Sequence, residues 1–376
     1  MTSDSFHWFV LTGGLSPYTL DLWERVAARS SHCVTLAHVP REYQTDSVHE
    51  SELTVAKAVE VVAVESLRTV VQLGSRCFRT PRSAVVCMGY SPIYNVLLSG
   101  FARATGRKHR LVLYVSDANG VEMVERMGTS RFALLPRRAL LGRIFTASLD
   151  LGFSNSLAHR LLRIPGSIDI PMLPVEFPGS REPELPEPLG TIVRELPRPR
   201  LLSVARLVEC KNLVSLLHAF AGAIRGEMPG SLTIIGEGPE RARLDPLLSQ
   251  TFGRAILPGA LGFRACRRIF GAFDGVLMPS LSDQWGIVIL EALGWGVPVL
   301  SSRQCGAAVS MALETGDAVK LCGTARGELE SGLVNFVENL DRHTTAAKAA
   351  APWVRRKFGM DEVADALIKL GNDSSQ

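Results

Sequence analysis

Arg206 and Lys211 stand five residues apart in a stretch, Ser203-Val204-Ala205-Arg206 and then Lys211-Asn212, where an apolar run gives way to a helical pattern. Two cations in a loop between a strand and a helix N-terminus suit a diphosphate, because the charges neutralise it and the helix amides add donors. Two solvated surface charges have the same signature. Gly236-Glu237-Gly238-Pro239 follows the apolar run Leu232-Thr233-Ile234-Ile235. Its glycines allow a ligand or another backbone to approach closely, and an ordinary strand-to-helix turn has the same composition. A dinucleotide fingerprint needs a third glycine where this chain has Arg241, which disfavours a dehydrogenase. Pro279 to Gly286 (PSLSDQWG) is a polar loop after the run GVLM, and an apolar helical segment, Ile287 to Leu293, contains one charge, Glu291. A carboxylate in such surroundings must be paired, hydrogen-bonded or facing a cleft. Asp283 lies eight residues before Glu291, about two helical turns, so both can line one side of a pocket. The amides of Gln284, Trp285, Gly286 and Ile287 would lie at the helix N-terminus, where they can bind hydroxyls or anions. An N-cap at Asp283 and a buried salt bridge at Glu291 are the structural alternatives.

The elements that must position these residues alternate along the chain. Apolar runs at His7–Thr12, Cys33–His38, 59–64, 84–88 and 110–115 read as strands, with helices over 20–28 and 95–103. After residue 200 the rhythm restarts. Strands are expected over 200–203, 231–235, 256–257, 275–278 and 298–301, and helices over 213–224, 240–248, 263–272 and 288–293. An amphipathic helix is expected over 360–370. Strand-then-helix alternation implies parallel strands with crossover helices, an α/β fold covered on both faces. Between Phe177 and Arg200 six prolines fall in 24 residues, which reads as a linker or a long surface loop. The 376 residues then divide into a first domain over 1–176, a linker over 177–200 and a second domain over 201–355. Open parallel sheets bind ligands beyond the C-terminal ends of their strands.

The region from about Leu201 to Ser302 resembles the retaining, nucleotide-sugar-dependent glycosyltransferases of family 4 (group 1), which have the two-Rossmann GT-B fold. The resemblance rests on the ARL…KN segment, IIGEGPE, Leu257-Pro258-Gly259 and MPSLSDQWGIVILEALGWGVPVLSS in that order. The stretch from Pro352-Trp353 to Leu370 resembles the family's last helices, which cross back onto the first domain, here over about 356–376. The resemblance implies two Rossmann-like domains with parallel sheets facing a central cleft, and a sugar transferred from a nucleotide diphosphate to an acceptor. It places Arg206 and Lys211 on the donor diphosphate and Glu291 on the ribose. Asp283 and the amides from Gln284 to Ile287 would hold the donor sugar, and Gly236, Glu237 and Gly238 would lie near the nucleotide. Asp283 departs from the family's usual Glu and reaches one methylene less far. Fixed cations at the phosphate and hydroxyl-binding groups at the sugar match a transition state with positive charge at the anomeric carbon and negative charge on the departing phosphate.

The first half is less distinctive and is expected to bind the acceptor. Thr12-Gly13-Gly14-Leu15 follows the first strand and resembles the family's Gly-rich first loop, with Gly14 toward the donor; a simple turn is the alternative. Tyr18, Tyr90 in Gly89-Tyr90-Ser91-Pro92, and Asn119 are candidate acceptor contacts. Family members often place a histidine where this chain has Ser116-Asp117. Asp117 is the candidate polar group near the reacting centre, with a capping aspartate as the alternative.

Between Gly100 and Arg143 nine Lys/Arg oppose three acids, and Arg131 to Leu141 (RFALLPRRALL) interleaves bases with apolar residues. Such a patch suits the anionic inner leaflet of a membrane and a lipid-linked or saccharide acceptor; a solvated face is the plain alternative. The net charge of +4 is too small to imply nucleic acid. No run approaches 18 uncharged apolar residues, and the first five residues lack the features of a secretory leader. Seven scattered cysteines without a CxxC pair suggest neither a disulfide framework nor a zinc site. A cytoplasmic enzyme, peripheral on the membrane's cytoplasmic face, is expected, in cell-surface polysaccharide or lipopolysaccharide assembly. It would need no cofactor or metal beyond its nucleotide-sugar co-substrate. A GT-B sugar-nucleotide epimerase and a non-catalytic sugar-nucleotide-binding protein fit the same residues.

Overall fold

The computed structural model describes residues 5–13, 15–39, 59–80, 82–88, 93–105, 111–116, 118–124, 135–177 and 183–374. The chain forms two compact units, one of Met1–Pro174 with Lys357–Gln376, the other of Val175–Arg356.

The first unit is built on a seven-stranded parallel sheet: β1 (His7–Thr12), β2 (Cys33–His38), β3 (Val59–Ala63), β4 (Ser83–Met88), β5 (Val112–Val115), β6 (Ala147–Leu149) and β7 (Ser167–Ile168). The order is β3-β2-β1-β4-β5-β6-β7. All six residues of β1 are buried, as a central strand covered on both faces requires. The order reverses between β1 and β4, and the loops leaving the strands' C-terminal ends beside this point are where such sheets take ligands. The helix Met360–Asp373 completes this unit and buries Met360, Val363, Ala364 and Leu367. Asp361 pairs with Arg25 and Arg29 of the helix Pro17–Arg29, and Asp365 pairs with Arg29. Gly371 lets its backbone lie on Phe6, Trp8 and His32; a Cβ there would stand 2.8 Å from the His32 ring.

The second unit has a six-stranded parallel sheet: β8 (Arg200–Val204), β9 (Ser231–Ile235), β10 (Ala255–Gly259), β11 (Gly275–Met278), β12 (Val299–Ser302) and β13 (Val319–Cys322). Its order is β10-β9-β8-β11-β12-β13. Leu201, Leu216, Phe220, Ile234, Leu277, Leu333 and Phe336 lie in its core. The proline-rich stretch, read from sequence as a linker over 177–200, belongs to this unit. Pro188 sits immediately before a short helix, Leu189–Glu195, a position that needs no amide donor, and Leu189 and Val193 are buried. Glu184 pairs with Arg268, and Phe177 packs so closely on Gly294 that a Cβ there would lie 1.9 Å from the ring. Residues 183–200 are therefore held down on the second unit by Glu184, Leu189 and Val193.

One polar chain crosses the edge of the first sheet. His7 Nε2 lies 2.8 Å from Thr35 Oγ1, Thr35 donates to Glu60, and Arg76 grips both Glu60 oxygens at 2.7 and 2.6 Å. Burial, reinforced by the Arg76 charge, lowers the His7 pKa from 6.5 to about 4. The Arg76 hydrogen bonds hold the Glu60 carboxyl below its usual range. Both groups bind protons more readily in the unfolded chain: His7 contributes stability that is complete above pH 6.5 and lost as the pH falls to about 4, and Glu60 contributes stability that is lost only below its ordinary value of 4.5. His7 alone accounts for up to about 3 kcal/mol over that window. Urea unfolding followed at pH 7 and at pH 4.5 is expected to show this loss, and His7→Leu is expected to flatten the dependence. An unchanged slope in that variant would remove His7 from the explanation.

Candidate active site

Most of the residues singled out in the second half of the sequence gather at the C-terminal ends of β8, β9 and β11. After β8 the chain runs through Arg206 to a single turn of 3-10 helix, Glu209–Lys211. Asn212 then takes a left-handed conformation (φ 57°, ψ 31°), which asparagine adopts at less cost than most residues. Its buried amide donates to the carbonyls of Pro279 and Thr324 at 3.1 and 3.0 Å. The Leu281 amide donates to the Cys210 carbonyl at 2.8 Å. The loops after β8 and β11 are thus fastened together by the Asn212 side chain and a backbone hydrogen bond.

That fastening brings Lys211 to Asp283. The ammonium lies 2.5 Å from Asp283 Oδ2, with the two side chains 18% and 14% exposed. Asp283 is fixed from its own side. Its backbone forms a parallel bridge with Cys305, through an amide bond to the Gln304 carbonyl and a carbonyl bond from Gly306. Asp283 is therefore an ion-pair partner, and the N-cap alternative is not what the geometry shows. Arg206 is exposed and makes no ion pair among the described residues. One cation is thus neutralised within the site and a second is available to an anion.

Gly236 and Gly238 have a specific use. A Cβ on Gly236 would stand 1.8 Å from the Ala205 carbonyl oxygen, and one on Gly238 would stand 2.5 Å from that of Leu207. The Leu207 amide donates to Glu237, and the Glu240 amide donates to Leu207. The glycines accordingly let the β9 loop hold the backbone on both sides of Arg206. The Glu237 side chain pairs with Arg241 at 2.6 Å.

Gly286 has φ +87°, and a Cβ there would lie 2.4 Å from Cys305 Sγ. Only glycine fits, and the sharp turn leaves the amides of Trp285, Gly286 and Ile287 without an acceptor among the described residues. Trp285 is buried; its carbonyl receives Ala307 N at 2.8 Å and Cys305 Sγ at 2.9 Å, and its ring N–H has no acceptor among the described residues. Gln284 lies in the same turn. Burial, with the nearby Asp283 charge, pushes the Cys305 thiol up to about 12, so it stays protonated and is no nucleophile. Glu291 is 5% exposed, in the first turn of the helix Val288–Gly294, where a carboxylate complements the helix dipole.

The candidates from the first half are less complete. Gly14, Tyr90 and Asp117 lie outside the described residues, as do residues 106–110 and 125–134 of the Arg103–Arg143 segment. Tyr18 is half-buried in the first helix. Asn119 is buried, and its Oδ1 accepts from Val121 N, Glu122 N and Ser154 Oγ. That makes it a cap holding the loop after β5. A cluster of Ser116 with the buried His159 and Asp150 beside that loop was not legible from spacing. Among the described residues no group of three or more His, Cys, Asp or Glu is placed to hold a metal ion.

Residues 198–339 match the family model described as Glycosyl transferases group 1. A search of curated proteins finds no match. The fold is similar to that of HepE from Anabaena in complex with UDP and glucose (TM-score 0.65, 15% identity, 98% of this chain and 100% of that one). It is also similar to sucrose-phosphate synthase from Thermosynechococcus elongatus (TM-score 0.66, 15% identity, 98% of each chain). WaaG, a glycosyltransferase involved in lipopolysaccharide biosynthesis, matches at TM-score 0.60 and 15% identity, over 97% of this chain and 99% of that one. The architecture is GT-B.

The Lys211–Asp283 contact predicts non-additive substitutions. Lys211→Met and Asp283→Asn should each cost about 1–3 kcal/mol, because each strands the other polar group in a largely buried setting. The double variant should cost less than the sum. Equilibrium unfolding of the four proteins measures the coupling, and strict additivity would show that the pair carries none.

Proposed function

We propose that this glycosyltransferase, whose residues 198–339 form a group 1 domain, transfers a sugar from a nucleoside-diphosphate sugar with retention of configuration. The acceptor is a lipid-linked or saccharide intermediate of cell-surface polysaccharide or lipopolysaccharide assembly. The observation that carries the reading is the Lys211–Asp283 pair with Arg206 unpaired beside it, mounted on adjacent strand ends. Support comes from the printed descriptions of similar folds, HepE with UDP and glucose and WaaG in lipopolysaccharide biosynthesis.

In this reading Arg206 binds the diphosphate, with Lys211 beside it. A lysine ammonium has three donors, so Lys211 can keep Asp283 and add a phosphate oxygen. As the glycosidic bond breaks, its electron pair goes to the phosphate, and the two cations stabilise the charge developing there. Lys211 is already held by Asp283, and the β9 loop holds the backbone on both sides of Arg206, so little backbone reorganisation is needed. Asp283 and the amides of Gln284, Trp285, Gly286 and Ile287 hold the sugar hydroxyls, and Glu291 holds the ribose. No metal is needed for this division of labour.

The enzyme works, in the same reading, at the cytoplasmic face of a membrane. No helix among the described residues is long and apolar enough to cross one. Three helices of the first unit, Leu67–Arg79, Ile93–Thr105 and Leu135–Ile144, contain seven arginines and no acid. They also expose Leu67, Val71, Phe78, Leu97, Phe101 and Leu140. Arg76 is paired with Glu60, and apolar side chains among the other arginines suit an anionic leaflet.

Two measurements test this. UDP-, GDP- and ADP-sugars should be screened by thermal shift; ligand at 100 times Kd adds about 2.7 kcal/mol. One base should raise Tm in the wild type and fail to do so in Glu291→Ala; no shift with any donor would defeat the donor-site reading. Separately, the protein should co-sediment with anionic vesicles, less so at high salt, and Phe78→Glu/Phe101→Glu should abolish it. Equal binding to zwitterionic vesicles would reject the electrostatic part.

A further inference from the structure

Ser116 follows β5 directly, at the C-terminal end of a strand in the first sheet. Its Oγ lies 3.0 Å from His159 Nε2, on the helix Phe153–Leu161. The other ring nitrogen, Nδ1, lies 2.5 Å from Asp150 Oδ1, just after β6. Asp150 Oδ2 also accepts from Ser156 Oγ at 2.7 Å and from Ser167 Oγ at 2.5 Å. His159 is 1% and Asp150 4% exposed, whereas Ser116 reaches the surface.

The proton positions follow from this connectivity. Burial alone would raise the Asp150 carboxyl, but the hydrogen bonds from His159, Ser167, Ser156 and Ser148 outweigh it and hold the carboxyl well below its usual range. Asp150 is then an acceptor only, so His159 carries its proton on Nδ1. In the neutral ring Nε2 is a bare lone pair, and it must receive the Ser116 hydroxyl proton. The single proton of Ser116 is thereby committed inward. Its oxygen presents lone pairs outward, and Ala118 N approaches one of them at a long 3.4 Å.

The surroundings hold this arrangement still. Asn155 Nδ2 donates to the Ser116 carbonyl at 2.6 Å, and Tyr114 meets the His159 ring edge-on at 5.2 Å. Gly120 lets the loop lie against the helix; a Cβ there would stand 2.3 Å from the Ser154 carbonyl oxygen.

We propose that Ser116 Oγ is a one-way hydrogen-bond acceptor for a substrate hydroxyl, with His159 and Asp150 as positioning residues that lock its polarity. The proposal rests on the glycosyl-transfer reading, and its ligand is an alcohol group of either the donor sugar or the acceptor saccharide. A serine free to rotate can donate or accept. This one can only accept, and the ionised Asp150 behind the ring strengthens it.

The experiment compares wild type with Ser116→Ala, Ser116→Thr and Asp150→Asn, each checked for an unchanged Tm. In Asp150→Asn the new amide can donate to Nδ1, which moves the ring proton to Nε2 and reverses the polarity of Ser116. Ser116→Ala and Asp150→Asn should lower kcat/KM about 10- to 100-fold, the range of a hydrogen bond to a charge-assisted group, and Ser116→Thr should restore most of it. If the hydroxyl belongs to the donor, Kd for the sugar nucleotide weakens while Kd for the nucleoside diphosphate alone does not. If it belongs to the acceptor, the acceptor KM rises and donor Kd is unchanged.

Nitrogen NMR of labelled histidine reads the lock without any substrate. His159 should be protonated at Nδ1 and bare at Nε2 in the wild type. An Nε2-protonated ring would overturn the proposal, as would wild-type kinetics in Ser116→Ala. Labelling of Ser116 by a fluorophosphonate would also overturn it, by showing a nucleophile in place of a hydroxyl acceptor. A wild type that binds no donor and transfers no sugar would instead count against the proposed function, and the NMR result would still decide the lock.

Discussion

The contact between Lys211 and Asp283 constrains the second unit's site more than any other interaction. An ammonium and a carboxylate that are each less than one-fifth exposed must meet, because either alone would be left poorly solvated. To let them meet, the loops after β8 and β11 must run side by side. Asn212, the Leu281 amide and the bridge from Asp283 to Cys305 are what bring this about. The glycines answer the same requirement. Gly286 turns the chain where Cys305 leaves no room for a side chain, and Gly236 and Gly238 carry the β9 loop against the backbone around Arg206. What remains is one cation with its charge balanced and one without, on a rigid base.

The first unit solves a comparable problem with different chemistry. Its polar cluster also lies beyond the ends of parallel strands, where backbone connections emerge and side chains are free of the sheet. Here the buried charge is Asp150, and it is satisfied by hydroxyls and an imidazole in place of an ammonium. A carboxylate with several donors is stable without a cation. The consequence is directional: the donors around Asp150 decide which way the Ser116 hydroxyl points.

Several features were readable from local pattern. β1, β2, β9 and β11 are apolar runs of four to six residues closed by glycine, proline or polar loops, and the order of motifs after residue 200 pointed to the GT-B fold. The short strands β6 and β7, of three and two residues, carry too little periodicity to detect. Residues 183–200 pack on the second unit although the sequence reads as a linker there, because proline content signals the lack of regular structure and says nothing about what a segment packs on.

The sequence by itself determined the strand-and-helix alternation, the loops that bear Arg206, Lys211, Asp283 and Glu291, and the glycines among them. These depend on residues within a few positions of each other, where sterics and hydrophobic periodicity act. Only the tertiary structure decided that Lys211 belongs with Asp283, 72 residues away, and that Ser116 belongs with His159, 43 residues away. It also decided that Gly236 makes room for the Ala205 carbonyl. Such pairings arise when crossover connections set distant strands side by side, and the need to satisfy buried polar groups then selects among the contacts this creates.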